Sequence, residues 1–459
     1  MKLQFKSSLF LLILILANSV IVSCKKFVQI PLPADQPTTA TIFSDDQTAT
    51  TAINGLYSSM MTQNFSIVNS GITLYPALSA DELLNTQPDP STGMFTNNAL
   101  NSGNTIIESN FWRKAYNHIY LINSILKGLS NSGSLSLVVK NKLTGEAKFA
   151  RALCYFYLIN LFNDVPYITS TDYEQNSIVG RTRKIDIYNN IISDLQAAQN
   201  LMSADYPSQG KVRPNKWTAM ALLARVYLYL EKWPQSEQAA TAVINSGSYN
   251  LSPLNEVFKS NSSEAIWQLM PVLSFLNTAD GFTFIPYSST VKPQYILTDW
   301  LINSFESGDQ RKTSWVASNT IGGQSFFFPF KYRVRSGSAV SEYNMLFRLA
   351  ELYLIRSESR TMQSNIAEAQ ADLNIIRNRS GLPNTSANSQ PSLLIAIEHE
   401  RQIELFAECG HRWLDLKRTG RINAVLTTKK IGWAQTSALY PIPFTEIQAN
   451  PNLTQNPGY

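Results

Sequence analysis

Three segments of this chain repeat one pattern, and that pattern restricts the fold more than any other feature. Ala152-Leu-Cys-Tyr155-Phe156, Ala224-Arg-Val-Tyr227-Leu228 and Ala350-Glu-Leu-Tyr353-Leu354 share an Ala-x-x-Tyr-apolar core. Each sits in a long stretch with helical periodicity and is followed by a break and a second amphipathic stretch. The break at Trp233-Pro234 leads into Ala239, Ala240, Val243 and Ile244, and the break near Ser364-Asn365 into Ala369, Leu373 and Ile376. Small Ala against bulky Tyr is how paired helices interlock in tetratricopeptide-like hairpins. The repeats are not tandem at roughly 34 residues, so an irregular helical bundle is the alternative reading. Further helices are expected over Phe111–Leu129, Leu143–Phe162 and Ile185–Met202, with a loop-like stretch from Phe65 to Asn110.

The first residues bear on location. Lys2 and Lys6 precede an apolar run from Leu9 to Val22, too short for the roughly 20 residues of a membrane-spanning helix but suited to a secretory signal. The run ends in Ile21-Val22-Ser23-Cys24, which resembles a bacterial lipobox. That resemblance implies cleavage before Cys24 and lipidation of its sulfur, so residues 1–23 are expected to be a signal peptide. Residues 24–41, rich in Pro and Thr, are expected to be the lipidated N-terminus and tether. Two or three buried acyl chains would anchor the chain where a single one would not.

Composition removes several function classes. A formal charge of +5 over 459 residues, with no long basic run, is no nucleic-acid signature. Three histidines and no CxxC or Cys/His cluster argue against a metal site. Cys154 and Cys409 lie in apolar helical segments and read as small core residues, their pairing left open. GxSxG, HExxH, P-loop and strand-following GxGxxG patterns are absent, and nothing calls for a cofactor. The loop pair Asp81-Glu82 is the one tempting acidic pair. Adjacent carboxyls rarely serve as acid and base on opposite sides of one glycosidic bond, so it reads as polar loop.

Between Tyr249 and Ser341 helical periodicity fades and aromatics crowd in, with short strands expected at Ala265–Met270 and Phe326–Val334. A loop-rich, aromatic insertion on a helical scaffold is a usual place for binding.

The C-terminal part carries a specific resemblance. Glu400-Arg401 through Glu404-Leu405-Phe406, Glu408, Gly410-His411-Arg412-Trp413, Asp415-Leu416 and Lys417-Arg418 resemble the signature of the SusD/RagB family. So do Tyr440-Pro441-Ile442-Pro443, the Asn450-to-Tyr459 ending, Gly145-Glu146-Ala147, Asp164-Val165-Pro166 and Arg377-Asn378-Arg379-Ser380-Gly381. Asn163 stands where Gly often precedes the Asp-Val-Pro turn. The signature charges recur at helical spacing, so they read as ion pairs on helix faces. A catalytic role for His411 with Glu404 or Asp415 is the lesser reading. The Asn- and Pro-rich ending reads as a strap packed by Tyr440, Ile442 and Tyr459.

The resemblance implies a mainly α fold of four tetratricopeptide-like helix pairs over residues 42–459, with 249–341 as the variable insertion and 392–459 as the signature region. It implies an outer-membrane lipoprotein facing the cell exterior that binds a glycan or oligosaccharide. Such a protein passes its ligand to a SusC-like TonB-dependent transporter and catalyses nothing. A peptide ligand is the alternative, and a glycan-degrading enzyme a more distant one. Aromatic faces stack on sugar rings, so the expected ligand contacts are Phe282, Tyr287, Trp300 and Trp315, with Tyr75 from the early loop. Trp315 ranks first because polar Arg311 and Asn319, candidate donors to sugar hydroxyls, flank it.

Overall fold

Apolar residues recur three and four apart from Asp46 onward, and each such stretch is a helix. The computed structural model describes residues 39–62 and 65–459. Contacts divide the chain into residues 1–42 and residues 43–459. Of the first unit the helical turn Thr39–Ile42 is described. The expected signal peptide, Cys24 and the tether up to residue 38 lie outside the described residues.

Helix α1 (Asp46–Thr62) buries Ala49, Ile53, Leu56, Tyr57 and Met60 along one stripe. Asp45 caps it, accepting from the amides of Gln47 and Thr48 at 2.9 Å. The stretch expected to be loop, 65–110, is instead α2 (Ser70–Ser79), strand β1 (Leu83–Asn85), α3 (Pro90–Thr96) and a π-helical turn, Ile107–Arg113. Some of the residues that read as loop, Asn69, Asp89 and Pro90, instead start helices. Asn69 accepts from Ser70 N at 2.8 Å, and Asp89 precedes Pro90 at the start of α3.

The helical stack follows as α4 (Lys114–Asn131), α5 (Leu137–Phe162), α6 (Lys184–Leu201), α7 (Lys216–Tyr229) and α8 (Trp233–Ile244). Later in the chain come α9 (Leu349–Met362), α10 (Ile366–Arg379), α11 (Gln390–Glu404) and α12 (His411–Arg418). Helix α5 packs on α4 and α6, α6 on α7, α7 on α8, α8 on α9, and α9 on α10 and α11. The fold is mainly α and tetratricopeptide-like. Gly145 lets α5 approach the end of α6, because a Cβ there would lie 2.7 Å from Met202 Cγ. Two hairpins are pinned alike: Ser236 Oγ donates to Ala224 O at 3.0 Å, and Ser357 Oγ to Ala369 O at 2.7 Å.

Helices α8 and α9 touch although a hundred residues separate them, so the intervening segment is an excursion from a continuous stack. It contributes β2 (Ala265–Leu269), β3 (Tyr295–Leu297) and the β4/β5 hairpin (Val316–Ile321, Gln324–Pro329), and is followed by β6 (Asn344–Arg348). Pairing is antiparallel in three two-stranded ladders, β1 with β3, β2 with β6 and β4 with β5. Gly322 and Gly323, both at positive φ, close the hairpin.

The signature region is a correction to the sequence reading. Its charges pair mostly across elements and not along helix faces. Glu404 accepts from Arg311, Arg348 and Arg379; Glu400 from Arg311 and Arg377; Arg401 forks onto Asp415; Arg418 reaches Glu358. Arg418 with Asp415 is a local, i,i+3 pair. Burial accounts for this, since a charge removed from water needs a partner wherever one is in reach. Burial lowers His411 to about 4, which keeps it neutral. Cys154 and Cys409 are buried free thiols. At the C-terminus Tyr440 and Ile442 are fully buried, and Asn456 Nδ2 ties the strap to Phe162 O at 2.9 Å and Tyr440 O at 2.8 Å.

Candidate functional site

Pairing of β1 with β3 assembles a cavity from three remote parts of the chain. Thr298 N donates to Glu82 O at 2.9 Å and Thr298 Oγ1 to Asp81 O at 2.6 Å. Thr298 also caps the turn Asp299–Ile302 by accepting from Leu301 N. This sets Trp300 on the outer side of that turn, 54% exposed. The segment after α12 brings Lys429, whose Nζ lies 5.3 Å from the Trp300 ring centroid and 2.5 Å from Asp81 Oδ2. Lys430 beside it donates to Leu78 O at 2.7 Å and Thr96 O at 3.2 Å. The resulting cavity is about 280 Å³, with Trp300, Leu84 and Ile431 as apolar walls and Asp81, Asn97 and Lys429 among its polar groups.

Its electrostatics suit a polar, uncharged ligand. Burial by itself would raise the Asp81 carboxyl, but Arg412 and Lys429 offset this and hold it below the ordinary carboxylate range. Asp81 is therefore a fixed acceptor. Burial and the neighbouring Asp81 charge push Glu82 up to about 8, and burial lowers Lys430 to about 8. Asp81 and Asp299 stand against Lys429 and Lys430, so the lining charges balance.

The expected ligand residues are not brought together. Trp300 lines this cavity. Phe282, 39% exposed, lies under Arg335, whose Cζ is 4.4 Å from its ring centroid; Tyr287 is 76% exposed; neither lines the cavity. Trp315, ranked first, is fully buried: its indole N–H donates to Leu254 O at 2.9 Å, and its ring packs against Phe258. It is core because the excursion needs a core of its own. Its polar flanks turn inward: Arg311 forks onto Asp309 and reaches Glu400, while Asn319 Nδ2 donates to Ser288 O and Val291 O. Tyr75 is buried in α2 against Phe95 and Phe111, at 4.8 and 5.6 Å between ring centroids.

Sequence reasoning missed Asn97, Lys429, Lys430 and Ile431, and took Asp81-Glu82 for polar loop when both are buried. The acidic pair was the available signal. It follows a strongly apolar stretch, where an Asp kept out of water implies a cation. Among the described residues no cluster of His, Cys, Asp and Glu could hold a metal ion, and no helix is long and apolar enough to cross a membrane.

The mainly helical, tetratricopeptide-like fold is shared with known proteins, and so are stretches of its sequence. Residues 36–228 match the family described as "Starch-binding associating with outer membrane", and residues 282–459 match the SusD family. The chain belongs to the SusD/RagB family. SusD-like protein P25 of Formosa agariphila is 26% identical over 517 residues, covering 95% of this chain and 97% of that one. The starch-binding protein SusD of Bacteroides thetaiotaomicron is 24% identical over 415 residues, 68% of this chain and 72% of its own. A SusD superfamily protein from Bacteroides vulgatus superposes with a TM-score of 0.81 at 20% identity, covering 91% of this chain and 100% of its own. A laminarin-binding SusD-like protein gives 0.77 at 24%, with the same coverage, and both likenesses concern the fold.

Proposed function

We propose that the chain is a glycan-binding lipoprotein of the outer membrane and that Trp300 is the stacking platform of its ligand site. The observation that carries this reading is an exposed indole at a 280 Å³ cavity that also presents hydrogen-bonding groups of balanced charge beside apolar Leu84 and Ile431. Sugars bind by laying CH-rich ring faces on aromatics while amides and carboxylates fix the hydroxyls. Family membership supports the reading, as do relatives named for starch and laminarin binding. Binding without catalysis fits an Asp81 whose carboxylate oxygens are taken up by Arg412 and Lys429, and a Glu82 that is buried outside the cavity lining. The same proposal takes Cys24 as the lipidated mature N-terminus and a SusC-like TonB-dependent transporter as the partner that receives the ligand.

Calorimetry of the mature protein against maltooligosaccharides, laminarin oligosaccharides and short peptides tests it. Binding of a sugar series that Trp300→Ala weakens roughly three- to tenfold, with the melting temperature unchanged, is the expected result. Peptide binding at the same residue would favour the peptide alternative, and turnover of any glycan would overturn the non-catalytic reading. A native N-terminal peptide beginning elsewhere than an acylated Cys24 would overturn the anchoring.

A further inference from the structure

A second cavity lies where the helical stack meets the C-terminal helices; it shares no lining residue with the Trp300 cavity, though Arg412 on its wall pairs with Asp81 of that site. It is about 300 Å³, near the lower end of ligand cavities, and is walled by α7, α8, α9, α11 and α12. Leu228, Trp233, Met362 and Leu394 supply its apolar surface, and Ile395 stands at its rim, 68% exposed. Its charges are largely spoken for: Arg418 pairs with Glu358 and Asp415, Arg401 with Asp415, and Arg421 with Glu398. Among the lining groups, that leaves the Glu231 carboxylate at the rim as the charge without an ionic partner.

Two residues that line this space nevertheless each hold a buried donor without an acceptor. Arg401 spends Nε and Nη2 on Asp415 and keeps Nη1 unpartnered, and Gln402 Nε2 is likewise buried and unpartnered. A buried donor left unmade costs about 1–3 kcal/mol, a cost an incoming acceptor removes. On the rim, Glu231 holds its backbone at positive φ in the α7–α8 turn and presents a carboxylate with no partner among the described residues. The cavity thus offers donors inside, an acceptor at the edge and aliphatic walls. A peptide amide answers all three, with its carbonyl as acceptor, its N–H as donor and an aliphatic side chain beside them.

We propose that this cavity is a second binding site, for a short segment of a protein partner that inserts an aliphatic residue and offers a backbone carbonyl to Arg401 and Gln402. The site is separate from the glycan cavity, so its test does not depend on the ligand read there.

The probes are N-acetylated, C-amidated tripeptides with Leu, Ile or Met at the centre, titrated into the mature full chain, with maltoheptaose as the sugar control. Saturable binding of the aliphatic peptides is expected, weaker at least tenfold in Gln402→Leu and in Ile395→Glu. Because Gln402 Nε2 is buried without an internal partner, Gln402→Leu should leave the melting temperature unchanged or raise it. No saturable peptide binding at millimolar concentration overturns the proposal, as does binding indifferent to both variants. A lowered melting temperature in Gln402→Leu with intact peptide affinity makes Gln402 structural and also overturns it. So does competition by maltoheptaose for the cavity.

Discussion

Arg412 grips Asp81 through two parallel hydrogen bonds, Nε to Oδ1 at 2.8 Å and Nη2 to Oδ2 at 2.9 Å. The pair joins the first helix of the signature's second half to the loop after α2, and so supports the wall of the Trp300 cavity from behind. Gly410 permits the approach: at positive φ it starts α12 where a Cβ would lie 2.8 Å from Ile72 O. Removing one member of a buried ion pair costs about 3–5 kcal/mol, because the other charge stays buried. Arg412→Met should therefore lower unfolding free energy in urea, by less than that because Lys429 still pairs with Asp81, and the double variant Asp81→Asn/Arg412→Met should recover much of it. Equal loss in single and double variants would show the two residues to be uncoupled.

Trp300 and Trp315 should respond in opposite ways. Trp300→Ala, at an exposed position, should change stability by less than about 0.5 kcal/mol and weaken glycan affinity by roughly three- to tenfold, the worth of one stacked ring. Trp315→Ala empties a packed core and should cost about 3–5 kcal/mol. Paired calorimetry and thermal melts of the two variants decide the matter. Loss of affinity without loss of stability in Trp315→Ala would restore it as a ligand residue.

Between about pH 4 and 8 the carboxyls of Glu82 and Asp280 should make stability fall as pH rises. His118 and His411, which burial lowers to about 4, should make it rise up to about pH 6.5, so the net fall is expected from about 6.5 to 8. Burial raises Glu82 to about 8 and Asp280 to about 7, well above the ordinary carboxyl range near 4. In the folded chain these carboxyls keep protons that the unfolded chain has released, so through them rising pH favours unfolding until both groups ionise in both states. Asp81 and Glu404 act in the other direction, each held down by cations despite burial, and their contribution is lost only as pH drops well below 4. At about 1.4 kcal/mol per pKa unit, Glu82→Gln should stabilise the protein at pH 8 by a few kcal/mol and be neutral near pH 4.5. A pH-independent effect in denaturant titrations would contradict this.

Cys154 and Cys409 should both be silent to thiol reagents in the native protein. Burial raises each thiol to about 12, so neither forms the thiolate that reacts. Two thiols should appear on denaturation without reductant. Fewer than two would mean that the pair had oxidised.

By itself the sequence determined the local elements and the family. Helical periodicity marked α4, α5 and α6 nearly to their ends, and the Ala-x-x-Tyr segments fell on helices that pack as hairpins, because one face of an amphipathic helix has to be buried. The signature around Glu400 and Arg412 was legible as family, but not as structure. Charges at helical spacing look alike whether they meet along one helix or, as Glu404 meets Arg311, Arg348 and Arg379, across the interior. Aromatic composition likewise cannot separate Trp300 from Trp315, since both rings gain by leaving water and only the packing around the excursion decides which one is left at the surface. The site was a tertiary decision for the same reason. Asp81, Asn97, Trp300 and Lys429 become neighbours through the β1–β3 pairing and the Asp81–Arg412 bridge, contacts between segments hundreds of residues apart that no local pattern encodes.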